Sequence, residues 1–302
     1  MLFDILKADV EELQDELFVQ KQVSVSVLRL DKIHPLVSGN KLFKLHYFLE
    51  EAANTCSKTI LTFGGAWSNH LAATAYTCKI LKLKSIGIVR GEKPAMLSST
   101  LQQCILDGMT LKFITRQEYA KKESPGFINA LKTEFQDCLI IPEGGYHWQG
   151  ARGAALIMDL VKPNNYTHIC MATGTVTTLA GVLMNAKPQQ TVVGFPVLKG
   201  LSDIRTRISK LTKSEAASKN LLIFDNYHFG GYAKKTDLLI QFMNDCRQRY
   251  LLPLDFVYTA KMLFGVIDCI KNDTFTKGSK ILCLHTGGLQ GNKSLPLNSL
   301  NF

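Results

Sequence analysis

Four short stretches of this sequence join glycines to side chains that could hold a ligand. The first is Thr62-Phe63-Gly64-Gly65-Ala66-Trp67-Ser68-Asn69-His70. Two glycines permit a tight turn after an apolar run, and Ser68 can cap a following helix. A cap accounts for Ser68 and Asn69 locally, although three consecutive polar residues are more than a cap requires. The second is Ala172-Thr173-Gly174-Thr175-Val176-Thr177-Thr178, where hydroxyls and backbone N–H groups can surround an anion, a phosphate above all. No G-x-x-x-x-G-K-[ST] loop or G-x-G-x-x-G fingerprint occurs, which argues against a nucleoside triphosphatase and leaves a dinucleotide unsupported. The third, His285-Thr286-Gly287-Gly288, and the fourth, Ser38-Gly39-Asn40-Lys41, read locally as plain turns.

The elements that carry these turns are those of an α/β protein. Short apolar, β-branched runs recur at Val23–Leu30, Thr59–Phe63, Ser85–Val89, Thr110–Ile114, Cys138–Ile141, Thr167–Ala172, Thr191–Val197, Asn220–Phe224 and Lys280–His285. Between them lie stretches such as Ser68–Leu83 and Lys235–Tyr250, in which apolar residues return every three or four positions. Alternation of this kind predicts parallel strands joined by crossover helices, and ligands bind where such strands end. Nine strands are many for one open sheet, so two sheets are expected, one inserted into the other, with a cleft between them.

Composition narrows the function classes. The 35 Lys and Arg against 25 Asp and Glu give a formal charge of +10, but the basic residues are dispersed and form no run interleaved with aromatics. No nucleic-acid partner is expected. Eight cysteines are scattered without a Cys-x-x-Cys pair, mostly in apolar runs, and read as buried thiols of a reducing compartment. Residues Met1 to Glu12 show no leader pattern and no run has membrane-spanning length, so a cytoplasmic protein with no membrane partner and no metal is expected.

Taken in order, Gly39-Asn40-Lys41 with Lys44-Leu45, Gly64-Gly65 with Ser68-Asn69-His70, the threonine loop, Phe229-Gly230-Gly231-Tyr232, Pro253-Leu254-Asp255 with Val257-Tyr258-Thr259-x-Lys261, and His285-Thr286-Gly287-Gly288 resemble the pyridoxal-phosphate family of 1-aminocyclopropane-1-carboxylate deaminase and D-cysteine desulfhydrase. The resemblance covers most of the chain. It implies the two-domain, three-layer fold of the tryptophan-synthase β-subunit group (fold type II). Residues 1–50 and 150–302 would form the larger, cofactor-binding domain and 51–149 the smaller inserted one. It also implies a homodimer and a small amino-acid substrate.

By the same resemblance Lys41 forms the imine with pyridoxal 5'-phosphate and serves as base; Lys44, the other lysine of the stretch, reads as a solvated helix residue. Asn69 would hydrogen-bond the ring hydroxyl, and Ser68 would approach the substrate for carboxylate binding or proton transfer. Gly174, Thr175, Val176, Thr177 and Thr178 would hold the phosphate. Thr286 would lie near the pyridine nitrogen, where a neutral hydroxyl supports less ring protonation than a carboxylate. Tyr258 would reach the substrate, and His70 and Tyr232 would line its site. The family's deaminases resemble one another in a second tyrosine shortly after the His-x-Gly-Gly turn, where this chain has Leu289-Gln290-Gly291-Asn292-Lys293-Ser294-Leu295 and no tyrosine after Tyr258. The resemblance therefore favours a D-cysteine desulfhydrase-like β-elimination, giving pyruvate, ammonia and sulfide, over ring opening. Another D- or β-substituted amino acid, and a degenerate cofactor-binding protein, are the alternatives.

Overall fold

Among the residues described by a computed structural model, 8–37, 39–55, 57–163, 165–214 and 219–302, apolar runs form ten strands. Ser38 and Cys56 lie outside the described residues. The strands are β1 (Val10–Leu13), β2 (Ser24–Arg29), β3 (Thr59–Gly64), β4 (Lys84–Arg90), β5 (Met109–Ile114), β6 (Cys138–Ile141), β7 (His168–Thr173), β8 (Thr191–Pro196), β9 (Leu221–Ile223) and β10 (Lys280–His285). They divide into a six-stranded sheet, β1-β2-β10-β7-β8-β9, and a four-stranded sheet, β5-β4-β3-β6. Every pairing is parallel except β1 with β2. The smaller sheet falls in sequence between β2 and β7, so the inserted two-sheet arrangement expected from the strand pattern is present.

The helices are α1 (Glu16–Gln20), α2 (Asn40–Asn54), α3 (Asn69–Ile80), α4 (Ser99–Leu106), α5 (Arg116–Tyr119), α6 (Pro125–Glu134), α7 (Trp148–Ala155), α8 (Thr177–Asn185), α9 (Ile204–Thr212), α10 (Asp237–Tyr250) and α11 (Thr259–Lys271). Strand alternation distributes each central strand over two cores: Ile169 and Met171 of β7 pack with α2, α7 and α8, whereas Cys170 and Ala172 pack with α10 and α11. Burial on both faces is why these strands read as unbroken apolar runs. The core around α2 also takes in Ile60 and Ile141, so it joins the two sheets.

One strand has no counterpart among the nine expected. β1, Val-Glu-Glu-Leu, lacks the alternation of a strand, and pairing of Val10 with Leu28 and Leu13 with Val25 overrides its weak propensity. Its Glu11 accepts from Arg29 at 2.7 Å, and Arg29 in turn holds Asp31 at 2.7 and 2.9 Å. The carboxylate of Asp31 lies 3.1 Å from Nδ1 of His285, whose Nε2 faces the Pro253 carbonyl at 2.7 Å. Burial raises the Asp31 carboxyl, but His285 and Arg29 outweigh it and hold it below the usual range.

Helix α7 is wedged between α2 and α8 by glycines. A Cβ on Gly153 would fall 2.0 Å from the Phe43 carbonyl oxygen, and one on Gly181 would fall 2.3 Å from that of Ala151. Alanine normally stabilises a helix relative to glycine. Here the sign reverses: Gly153→Ala is expected to lower stability by about 1–3 kcal/mol through overpacking. The check is a fall in the urea midpoint at unchanged m-value, with Gly126→Ala, which meets nothing within 4 Å, showing no fall.

Candidate active site

The Gly-Asn-Lys stretch is pressed against the turn that follows β10. Gly39 has φ +71°, and a Cβ there would lie 1.9 Å from the Thr286 carbonyl oxygen, so both conformation and space demand glycine. The same oxygen accepts from the Asn40 N–H at 3.3 Å. The buried Asn40 amide then works in two directions. Its Nδ2 donates to Thr178 Oγ1 at 2.7 Å, and its Oδ1 accepts from Lys41 Nζ at 2.7 Å. One side chain thus joins the lysine, the threonine loop and, through its backbone, the His-Thr-Gly-Gly turn.

Burial pushes the Lys41 ammonium down to about 8, with Asp255 opposing weakly. At pH 7.5 about a quarter of such an amine is neutral, against about one part in a thousand at the ordinary lysine value. Lys41 Nζ lies 5.9 Å from the centre of the Tyr258 ring.

The threonine loop turns through Val176, a β-branched residue at φ +69°, and opens α8 with Thr177. A non-glycine residue in that region is strained, and such strain is retained where a loop must aim its N–H groups. Thr175 and Thr177 hydroxyls lie 3.1 Å apart. Gly174 allows close approach of Tyr258, whose ring would be 3.2 Å from a Cβ there. Thr286 is buried at the turn beyond Gly39.

The expectation that Lys44 is solvated is overturned. It is 4% exposed, its ammonium donates to the Gly144 carbonyl at 3.1 Å, and no carboxylate pairs with it among the described residues. Burial and the neighbouring Lys41 hold it well below the usual lysine range. Gly144 itself abuts Thr175, at 2.8 Å from a Cβ position. A buried amine with no carboxylate partner, beside a loop of donors, can keep its proton best against an anion, and helical periodicity around Leu42 and Leu45 could not reveal it.

From the smaller sheet, Ser68 caps α3 by accepting from the Leu71 N–H at 3.2 Å. Asn69 Oδ1 is buried with no hydrogen-bond partner, and its Nδ2 would be 3.1 Å from a Cβ on Gly288. An orphaned amide oxygen at this position calls for a donor from a ligand. His70 turns inward instead. Thr62 donates its hydroxyl to the Ile141 carbonyl at 2.8 Å and so accepts from His70 Nε2 at 3.0 Å. Burial, with Lys41 and Lys44 nearby, pushes the imidazole down to about 3, so it is neutral at any physiological pH.

Tyr258 begins α11 and is fixed by Asp255, which no motif pattern marked with a role. The buried carboxylate accepts from the N–H groups of Val257, Tyr258 and Thr259 at 2.9–3.0 Å and from the Thr259 hydroxyl at 2.8 Å. A carboxylate there also complements the helix dipole. The Tyr258 hydroxyl donates to that of Tyr232 at 3.4 Å. Burial, then Tyr232, raise the Tyr258 phenol well above its ordinary value, so it is a donor and not a phenolate. Lys261, fully buried one turn along α11, holds the loop bearing Tyr232 by donating to the carbonyls of His228 at 2.8 Å and Gly231 at 2.7 Å.

An amine kept partly neutral, a donor loop with a buried lysine, and an orphaned acceptor for a ring hydroxyl fit pyridoxal phosphate, and the fold with this constellation defines a pyridoxal-phosphate enzyme of fold type II. No family model matches the chain. A putative 1-aminocyclopropane-1-carboxylate deaminase of Thermotoga maritima is 30% identical over 285 residues, 89% of this chain and 89% of its own length. A bifunctional D-cysteine desulfhydrase/1-aminocyclopropane-1-carboxylate deaminase of Arabidopsis thaliana, named as mitochondrial, is 29% identical over 84% of this chain and 70% of its own. Among solved structures, an ACC deaminase homologue superposes with a TM-score of 0.81 at 25% identity, covering 96% of this chain and 92% of that one. A hydrogen sulfide-producing enzyme of Fusobacterium nucleatum shares the fold, with a TM-score of 0.71 at 13% identity over 98% and 99% of the chains. The chain belongs to the 1-aminocyclopropane-1-carboxylate deaminase and D-cysteine desulfhydrase family of pyridoxal-phosphate-dependent enzymes.

No helix among the described residues is long and apolar enough to cross a membrane. The Asn40 bridge is open to test. Thr178→Val removes the acceptor of a buried amide and is expected to cost about 1–3 kcal/mol in thermal or urea unfolding, whereas Thr178→Ser restores most of it.

Proposed function

We propose that this protein deaminates a small amino acid by β-elimination, with a D-cysteine-like substrate giving pyruvate, ammonia and sulfide. The observation that carries the reading is the placement of Lys41. Its amine is bonded to Asn40, depressed by burial, and 5.9 Å from the ring of a phenol that stays protonated. Such a pair supplies a base and an acid on one substrate.

Pyridoxal phosphate, when bound, draws electrons from the substrate α-carbon and so acidifies its proton. Lys41 is the residue that tethers it. The Gly174–Thr178 loop and Lys44 would hold its phosphate, Asn69 its ring hydroxyl, and Thr286 would stand by the ring nitrogen. Lys41 would be the residue that accepts the α-proton. Tyr258 donates to the departing β-substituent, and Tyr232, pinned through Lys261, keeps that hydroxyl aimed. Ser68, at the start of α3, would meet the substrate, for carboxylate binding or proton transfer.

A second reading rests on the same two phenols. The expected late tyrosine is absent, but Tyr232 places a second hydroxyl 3.4 Å from Tyr258 from a different segment, and three curated relatives are named as putative cyclopropane deaminases. Opening the ring needs an acid and a base without an α-proton to remove. A panel of D-cysteine, L-cysteine, β-chloro-D-alanine, D-serine and 1-aminocyclopropane-1-carboxylate, scored for keto acid and ammonia, separates the two. Preference for the cyclopropane would overturn the first reading.

Cofactor attachment gives a pH test. Only the neutral amine reacts, and the folded value lies below the ordinary one, so attachment to the apoprotein should speed up with pH and level off above about 8 rather than near 10. The measurement is growth of a borohydride-sensitive absorption band. Lys41→Ala should never form it, and a colourless wild type in excess cofactor would sink the assignment.

A further inference from the structure

Arg90 ends β4 beside the turn that leads to Ser68 and Asn69. β3 and β4 are in register with Gly64 opposite Val89, so Gly65 and Arg90 leave the same edge of the smaller sheet together. A Cβ on Gly65 would find the Arg90 guanidinium 3.8 Å away and no other neighbour within 4 Å. Arg90 is exposed, and among the described residues it makes neither an ion pair nor a hydrogen bond. Glu143, whose charge is felt at Tyr232 and Tyr258, lies 3.5 Å from Lys122.

The Arg90 charge is also felt at Tyr232, on the segment between β9 and α10. Burial raises the Tyr232 phenol and the bond from Tyr258 lowers it; Glu143 then raises it and Arg90 pulls it back. The loop beneath Tyr232 adds further basic residues, for Lys199 and Lys234 Cβ atoms stand 3.6 and 3.4 Å from the Cβ positions of Gly231 and Gly230. An exposed arginine on an ordinary surface needs no explanation. One that stands beside the Gly64-Gly65 turn and whose charge acts on a tyrosine of the loop between β9 and α10 is placed to meet whatever occupies the cleft. A guanidinium there pairs best with a carboxylate, sulfonate or phosphate, which accept two of its N–H groups together.

Resting on the assignment of this cleft to amino-acid deamination, we infer that Arg90 selects substrates whose side chain carries a second anionic group. Two measurements test it. In the cofactor-loaded protein, dissociation constants for aspartate and alanine, neither bearing a good leaving group, are read from the change in the cofactor band. Aspartate should bind at least tenfold more tightly than alanine, with the advantage shrinking in high salt and lost in Arg90→Gln. In turnover, kcat/KM for O-phosphoserine relative to β-chloroalanine of the same chirality should fall at least tenfold in Arg90→Gln and recover partly in Arg90→Lys. Equal binding of aspartate and alanine by the wild type, or equal losses for both members of each pair in Arg90→Gln, would overturn the inference. Keto acid formed from none of the substrates would overturn the β-elimination reading alone, since the binding comparison decides Arg90 without turnover.

Discussion

Gly39 meets the Thr286 carbonyl so closely that no side chain fits between them, and the Asn40 N–H closes the contact with a hydrogen bond. Everything that Lys41 can do follows from this junction. It sets where α2 begins, and therefore where Lys41 and Lys44 point. It also makes the turn after β10 a stop against which the Asn40 amide is oriented toward Thr178 on one side and Lys41 on the other. Loss of that register would leave a buried amide unpaired and the lysine without its nearest partner, a cost comparable to a sizeable fraction of the stability of a whole domain.

Around the junction the site distributes charge unevenly. Lys41, Lys44 and Lys261 are all depressed by burial, while the nearest buried carboxylate, Asp255, is consumed by the start of α11. Lys261 is committed to the carbonyls of His228 and Gly231, so Lys41 and Lys44 are the amines left to gain a proton beside a bound anion. The phenols share that setting. Tyr258 and Tyr232 are held protonated by burial, so they are hydrogen-bond donors, whereas Lys41 has a substantial neutral fraction near pH 7.5.

Much of this was legible before any coordinates. The interior strands announced themselves because burial on both faces makes them uniformly apolar, and the turns at their ends stood out because glycine and polar residues interrupt those runs. Resemblance across six ordered motifs then linked turns that no local rule could connect. What was not legible was whatever depends on a distant partner. β1 is a strand only because β2 lies alongside it. Lys44 resembles any polar position on an amphipathic helix until the Gly144 turn closes over it. Asp255 is an unremarkable acid until three N–H groups converge on it. His70 sits in a polar triplet that invites a ligand role, and nothing local shows that its Nε2 bonds to Thr62 behind the turn while its buried Nδ1 has no partner.

The order of strands in the larger sheet carries a consequence for how the chain reaches this state. The four strands of the smaller sheet come from one continuous stretch, Thr59 to Ile141, and can pair as soon as that stretch exists. β2, by contrast, is flanked by β1 and by β10, and its pairing of Ser24 with Lys280 spans nearly the whole polypeptide. Contacts between residues so distant in sequence are slow to form. During synthesis the inserted unit is thus free to mature early, while the lysine-bearing helix waits for β10 and the turn after it before its seat exists. Catalytic competence arrives at the end of assembly, as a property of the closed chain and not of either half.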